Sequence, residues 1–244
     1  PSYDPFVELN ASYGSYNTYN TGFSMSTGLL GNHFVADAAF HTTGTDGYIH
    51  GTAGKSGSWY AGLNWIGRDF IIRYRNIGNY EHTGQAWNGV TAGTDDLSIM
   101  DGTYGKNTGI KTYADMYREG LGKFNSLYES MDPKTYETTR YTLNDGSYWP
   151  KTTDNFWQDH NILSAAWNIN ENLKTTLSLH YTYGYGYYDE FKPDSKVSKF
   201  GFDMVKSNGK PLRSDFVRQK GLSQNAAGVV YNISYNNNGW DVIG

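Results

Sequence analysis

NFWQDHNILSAAWNINENLKTTLSLHYTYGYGYYDEF, residues 155–191, decides how the rest of the chain is read. In its second half Leu177, Leu179, Tyr181 and Tyr183 alternate with Thr176, Ser178, His180 and Thr182. Successive side chains of a strand point to opposite faces, so a period of two predicts a strand with one apolar and one polar face. In the first half Leu163, Ala165, Trp167 and Ile169 alternate with Ile162, Ser164, Ala166 and Asn168, and the two segments meet at Asn170-Glu171-Asn172. A polar three-residue turn between alternating runs predicts a β-hairpin. Tyr181, Tyr183, Tyr185, Tyr187 and Tyr188 crowd the end remote from that turn. Rings with an apolar body and a polar tip gather where hydrocarbon meets water.

Outward from this hairpin the same pattern recurs. Val7, Leu9, Ala11 and Tyr13 alternate with Glu8, Asn10 and Ser12, and Phe23 and Met25 with Gly22, Ser24 and Ser26. Phe34, Ala36, Ala38 and Phe40 form one face of the next segment, then Trp59, Ala61, Leu63 and Trp65, then Phe70, Ile72 and Tyr74 against Arg73 and Arg75. The last full run sets Ala227, Val229, Tyr231, Ile233 and Tyr235 against Ala226, Gly228, Val230, Asn232 and Ser234. Alternation fades over residues 78–154, which are predicted as one long loop with a possible helix, because Tyr113, Tyr117, Leu121, Phe124 and Tyr128 recur at helical spacing. Gly120 and Gly122 oppose that helix. A second long connection is predicted from Gly184 to Leu222.

Short turns at 28–32, 67–69, 170–172 and 236–239 alternate with longer connections at about 14–19, 43–58, 78–154 and 184–222. All the longer connections therefore lie at one end of an up-and-down sheet. This predicts an all-β, antiparallel transmembrane β-barrel with short periplasmic turns and long extracellular loops. With about eight strands, residues 1–244 are expected to be part of a single, larger barrel domain.

Composition narrows the function classes. No window approaches the roughly 18 apolar residues of a membrane helix, and a mean hydropathy of -0.65 does not oppose a barrel, in which only alternate residues face lipid. An aromatic content of 16% opposes disorder. The net charge is -4 with the basic residues scattered, which argues against nucleic acid. Cysteine is absent, removing disulfides and thiolate chemistry. The six histidines lack metal-type spacing, and neither a Gly-x-Ser-x-Gly elbow nor a phosphate loop occurs, so no catalytic residue, metal or cofactor is predicted. Pro1-Ser2-Tyr3-Asp4 shows no signal-peptide pattern and Trp240-Asp241-Val242-Ile243-Gly244 reads as a strand just begun, so an internal piece of a longer chain is expected.

Taken in order, YGSYNTYNTGFSMSTGLLGNHFVADAAFHTTGTDGYIHG (residues 13–51), QAWNGV (85–90), DNFWQDHNILSAAWNINENLKTTLSLHYTYGYGYYDEFK (154–192) and DFVRQKGL (215–222) resemble the barrel domain of TonB-dependent outer-membrane receptors, most closely those of Bacteroidetes. The resemblance covers strand and turn order from Tyr13 to Gly239 and fails in the intervening loops. It implies a barrel of about 22 strands, a location in the bacterial outer membrane, and active import of a scarce solute: a ferric siderophore, haem, cobalamin or an oligosaccharide. It further implies contact with lipid and coupling to the TonB energy-coupling complex through regions outside this chain, as is the plug domain. The implied activity is transport, not catalysis.

The best ligand candidates are loop aromatics, which supply flat apolar contact with a polar tip: Tyr80, Trp87, Tyr104, Trp149, Tyr187 and Tyr188, together with His82. Trp157, Tyr181 and Tyr183 are expected in an interfacial belt instead. His33, His41 and His180, like Arg73 and Arg75, fall on polar strand faces and are expected to face an aqueous interior. Two rival readings make different structural demands. A soluble glycan-binding β module would turn its apolar faces into a core, and a smaller barrel adhesin or enzyme would close within this chain.

Overall fold

The computed structural model describes residues 2–87, 112–132, 134–206 and 208–244. Nine strands form one antiparallel sheet in the order β1-β2-β3-β4-β5-β8-β9-β10-β11: β1 (Pro5–Gly14), β2 (Thr18–Thr27), β3 (Phe34–Thr45), β4 (Gly54–Ile66), β5 (Phe70–Gly84), β8 (Thr153–Asn168), β9 (Leu173–Lys196), β10 (Arg213–Asn237) and β11 (Trp240–Ile243). Among the described residues β1 pairs only with β2 and β11 only with β10, so the sheet does not close within the chain. Between β5 and β8 lie helix α1 (Tyr113–Arg118) and the small hairpin β6 (Glu129–Met131) and β7 (Thr138–Arg140).

The turns explain themselves chemically. Asn237 pairs with Trp240, leaving Asn238 (φ 51°) and Gly239 (φ 83°) as a two-residue turn with both residues left-handed. That is the mirror-image turn whose twist matches the flanking strands, and Asn-Gly is the pair that tolerates it best. At the central hairpin the Asn170 side chain accepts hydrogen bonds from the backbone N–H groups of Asn172 (2.9 Å) and Leu173 (3.0 Å), closing the turn predicted at 170–172.

The strands outrun the alternation that identified them. β5 continues to Gly84 and β9 to Lys196, while β10 begins at Arg213, so the long connections shrink to residues 85–152 and 197–212. The connection expected at 14–19 is a tight turn over Ser15–Asn17, with Tyr16 and Asn17 at positive φ. At 24 and 25 residues, β9 and β10 are about 80 Å long at about 3.3 Å per residue. Only 9–11 tilted residues are needed to cross a bilayer. The helix is shorter than the spacing predicts: α1 ends at Arg118, Gly120 takes φ 74°, and the chain turns before Leu121, so Phe124 and Tyr128 do not share its face.

Register carries each apolar and polar set across the sheet. Ala36, Leu63, Tyr74, Leu163, Leu179 and Val229 lie in one row, and Asp37, Gly62, Arg75, Ile162, His180 and Gly228 in an adjacent row on the opposite face. Among the described residues no second layer covers the sheet: Leu63, Trp65, Ile72, Leu163, Trp167, Leu177, Leu179, Val229 and Tyr231 all stay exposed. Burial is concentrated instead in the connection above β5 and β8, where Leu121, Leu127 and Trp149 are buried together with Asn125, Glu129 and Thr152. An uncovered apolar face opposes the soluble module, and an unclosed sheet opposes the small complete barrel.

Candidate functional site

The motif Tyr183-Gly184-Tyr185-Gly186-Tyr187-Tyr188 builds the candidate site by alternation. Its odd-numbered tyrosines fall on the apolar face, where Trp157 lies 5.9 Å from Tyr183 and 5.7 Å from Tyr185, ring centre to ring centre. Gly184 and Gly186 fall on the polar face, where their missing side chains let Phe156 and Gln224 lie close over the strand. Gly186 pairs with Phe156 and Leu222, and a methyl group there would meet the Asn155 carbonyl oxygen and come within 2.7 Å of the Phe156 ring. The result is a recess of about 410 Å³, lined on the polar face by Asp154, Phe156, Tyr188, Lys220 and Leu222. The Lys220 ammonium sits 5.4 Å from the centre of the Tyr188 ring, and Trp87 meets that ring edge-on at 5.0 Å. The Trp87 indole N–H donates to Gln85 Oε1 at 3.0 Å, which fixes its orientation.

Above the recess one buried carboxylate holds two cations, which leaves the cluster one positive charge in excess. Glu190, 1% exposed, accepts from Lys192 Nζ at 2.6 Å and from the Arg218 guanidinium on β10. Burial pushes the Glu190 carboxyl up, but the hydrogen bonds and charges of Lys192 and Arg218 outweigh it and hold it below the usual carboxylate range.

A polar clamp holds the neighbouring loops together. Asn125 Nδ2 donates to the carbonyls of His50 (2.7 Å) and Gln85 (2.9 Å), and its Oδ1 accepts from the Leu127 N–H (3.0 Å). Glu129 Oε1 accepts from the Asn125 N–H at 3.3 Å and lies 2.8 Å from His50 Nδ1. One side chain thus ties the β3–β4 connection, the end of β5 and the β5–β8 connection into one platform beside the recess. Lys151 Nζ donates to the Ala53 carbonyl at 2.7 Å, and burial lowers its pKa.

The seven candidates separate accordingly. Trp87 and Tyr188 come together at the recess, whereas Tyr80, His82 and Tyr187 share the parity of the apolar face. Tyr80 and His82 belong to β5, and Tyr187 and Tyr188 to β9, rather than to loops. There the Tyr80 hydroxyl lies 3.2 Å from Thr42 Oγ1 and His82 Nδ1 bonds to Asn155 Oδ1. Tyr187 still contributes to the rim of the recess. Trp149 is 5% exposed and packs 6.0 Å from Phe191, making it a core residue of the loop platform. Tyr104 lies outside the described residues. Arg73 and Arg75 lie on the polar face, as expected, but form no ion pair with a neighbouring strand among the described residues; the His41 and His180 rings cover Gly22 and Gly228 on that face, whereas His33 precedes β3 and stacks 5.9 Å from Trp65, a residue of the apolar parity.

Sequence reasoning did not single out Phe156, Lys220, Leu222, Asn125 or Glu129. For Phe156 and Leu222 the signal was available, since strict alternation places them opposite Gly186. Asn125 carries no such signal, because its partners lie 75 and 40 residues away.

No protein-family model matches the sequence, and no curated protein matches it. Among solved structures, the chain is similar over 100% of its length to the ferric-catecholate import receptor Fiu of E. coli K12, with a TM-score of 0.61 at 12% identity. The fold is that of part of a TonB-dependent receptor barrel. This chain spans 33% of that receptor, so its nine strands correspond to about a third of the larger structure, agreeing with the sequence reading of a partial barrel. At such low identity the likeness shows the fold and leaves the solute to be argued from the site.

Proposed function

We propose that this chain is a wall segment of an outer-membrane receptor that actively imports a scarce solute. In this reading the apolar face meets lipid, the polar face lines the interior, and the ends carrying residues 46–53, 85–152 and 197–212 lie outside the cell. The observation that carries it is a nine-stranded sheet, uncovered and unclosed, that matches part of an import receptor from end to end. Coupling to the TonB complex follows from this reading and would act through parts of the receptor beyond this chain.

The recess suggests the kind of solute. Phe156, Tyr188 and Leu222 offer apolar walls, Trp87 an aromatic edge, and Lys220 a cation beside Asp154. Such a surface suits a flat, conjugated solute carrying negative charge, as an iron chelate or haem does, and it suits an uncharged sugar less. The test is binding of ferric chelates, haem, cobalamin and oligosaccharides to the full-length protein in detergent. Trp87→Ala and Tyr188→Ala should each weaken the bound solute about tenfold, with Tyr183→Ala on the opposite face without effect. Equal loss in all three variants, or a full-length protein found only in the soluble fraction, would sink the proposal.

A further inference from the structure

We propose that a recess on the polar face of β3, β4 and β5 binds an uncharged, hydroxyl-rich group of the pyranose kind; this rests on the reading of that face as the interior of an import receptor. The recess holds about 320 Å³ and is built on a run of small residues. Ser56-Gly57-Ser58 of β4 forms its floor, with His41 of β3 at one side and Asn79 and Glu81 of β5 at the other. Asn20 of β2 closes the far end, in the row of Thr43 and Ser56. Two side chains large enough to fill the space are drawn away from it over glycines. The His41 ring lies over Gly22 of β2, and the Tyr60 hydroxyl lies over Gly62, one step toward the turn end. The Tyr80 ring has the opposite parity and covers Gly57 on the other face of the sheet, its hydroxyl 3.2 Å from Thr42 Oγ1.

The polar side chains of the recess are uncommitted. Among the described residues the side chains of Asn20, His41, Ser56, Ser58, Asn79 and Glu81 make no hydrogen bond, and Glu81 takes part in no ion pair. Only Thr43 is engaged, donating to the Tyr19 carbonyl at 2.9 Å. The set mixes hydroxyls and carboxamides, which both donate and accept, with a carboxylate, which only accepts. A sugar hydroxyl donates and accepts through one oxygen, so neighbouring hydroxyls on a ring answer both kinds of group at once. An ammonium group offers donors alone and would leave the carboxamide N–H groups unanswered. No aliphatic side chain of this parity lines the recess, so an apolar group has nothing to bury against.

Register sets this recess level with the one at Tyr188. Ser56, Glu81, Phe156 and Gly186 occupy one row across β4, β5, β8 and β9. Three strand spacings of about 4.8 Å put the two recesses roughly 14 Å apart. One solute can therefore lay a flat, anionic part against Tyr188 and Lys220 and extend a hydroxyl-bearing arm along the row to Ser56 and Glu81.

The experiment is saturation-transfer NMR on the full-length protein in a sugar-free detergent, with methyl α-D-glucopyranoside as the probe and butylamine as its cationic counterpart. The unaltered protein should transfer saturation to the glucoside and not to the amine. Asn79→Leu combined with Glu81→Ala should weaken glucoside binding about tenfold, as loss of hydrogen bonds of ordinary strength implies, and Glu81→Gln alone should retain part of it. Neither side chain is bonded within the described protein, so both variants are expected to fold, which gel mobility of the unheated barrel checks. No transfer to the glucoside from the unaltered protein overturns the inference without reliance on any variant. Transfer that survives the double variant, or stronger transfer to butylamine, overturns it as well. Titration with a ferric tricatecholate is read in parallel, in the unaltered protein and in Tyr188→Ala. Glucoside binding that persists in Tyr188→Ala supports a separate subsite. Chelate bound without glucoside defeats this inference alone, whereas glucoside bound without chelate supports it and defeats the reading of the Tyr188 recess.

Discussion

Replacing Asn125 by Ala should open the loop platform while leaving the sheet intact. The substitution removes two donated hydrogen bonds, to the carbonyls of His50 and Gln85, and one accepted from the Leu127 N–H. Asn125 is 4% exposed, so these three backbone groups lose their partner where water has poor access. Each net hydrogen bond contributes about 1 kcal/mol and each stranded buried group costs about 1–3 kcal/mol, so a local loss of about 3–5 kcal/mol is expected after partial relaxation. The assay is amide hydrogen exchange on the full-length protein. The Leu127 amide and the His50 amide, which donates to the Lys123 carbonyl, should exchange roughly a thousandfold faster. Amides of β5 and β8 in their mutual ladder should be unchanged. Unaltered protection of both loop amides would refute the clamp, and an equal loss throughout β5 and β8 would show that Asn125 supports the whole sheet instead.

Three shorter predictions use the same geometry. The lowered Glu190 pKa means that its stabilising effect is complete above the ordinary value of about 4.3 and is lost as pH falls through the depressed folded value. The outer parts of β9 and β10 should accordingly resist proteolysis at about pH 6 and lose that resistance on acidification below the ordinary carboxylate range, and Glu190→Gln should abolish that pH dependence; a pH-independent wild type would contradict the assignment. Gly186→Ala should cost about 1–3 kcal/mol and narrow the recess, because the added methyl would meet the backbone of Asn155 and the Phe156 ring; unchanged thermal stability together with unchanged solute binding would count against it. Asn238→Val should destabilise the β10–β11 turn by about 1–2 kcal/mol through its positive φ, whereas Asn238→Gly should be nearly neutral, as read by exchange of the Gly244 amide bonded to Ile233.

The alternation of Leu177, Leu179, Tyr181 and Tyr183 with Thr176, Ser178, His180 and Thr182 was enough to place a hairpin, because a period of two has only one structural meaning. Strand ends were less legible. Gly84, Asp189 and Ser195 look like loop residues by composition, yet the neighbouring strand satisfies their backbone groups and extends the ladder past the last alternating pair. The tyrosine-rich ends of β5 and β9 misled the site prediction in the same way. Once Tyr80, His82 and Tyr187 belong to strands, parity alone puts them on the opposite face from Tyr188.

Sequence by itself determined the strand order, most of the turns and both faces of the sheet, since each depends on neighbours within a few residues or on the adjoining strand. Tertiary structure decided which aromatics meet. Trp87 reaches Tyr188 across 101 positions of chain, Asn125 finds His50 and Gln85 from within the β5–β8 connection, and Asp159 gathers Asn76 and Asn161 onto one carboxylate oxygen. Hydrogen bonds and ring contacts between distant residues leave no period in the sequence, because their geometry exists only after the strands have fixed the register.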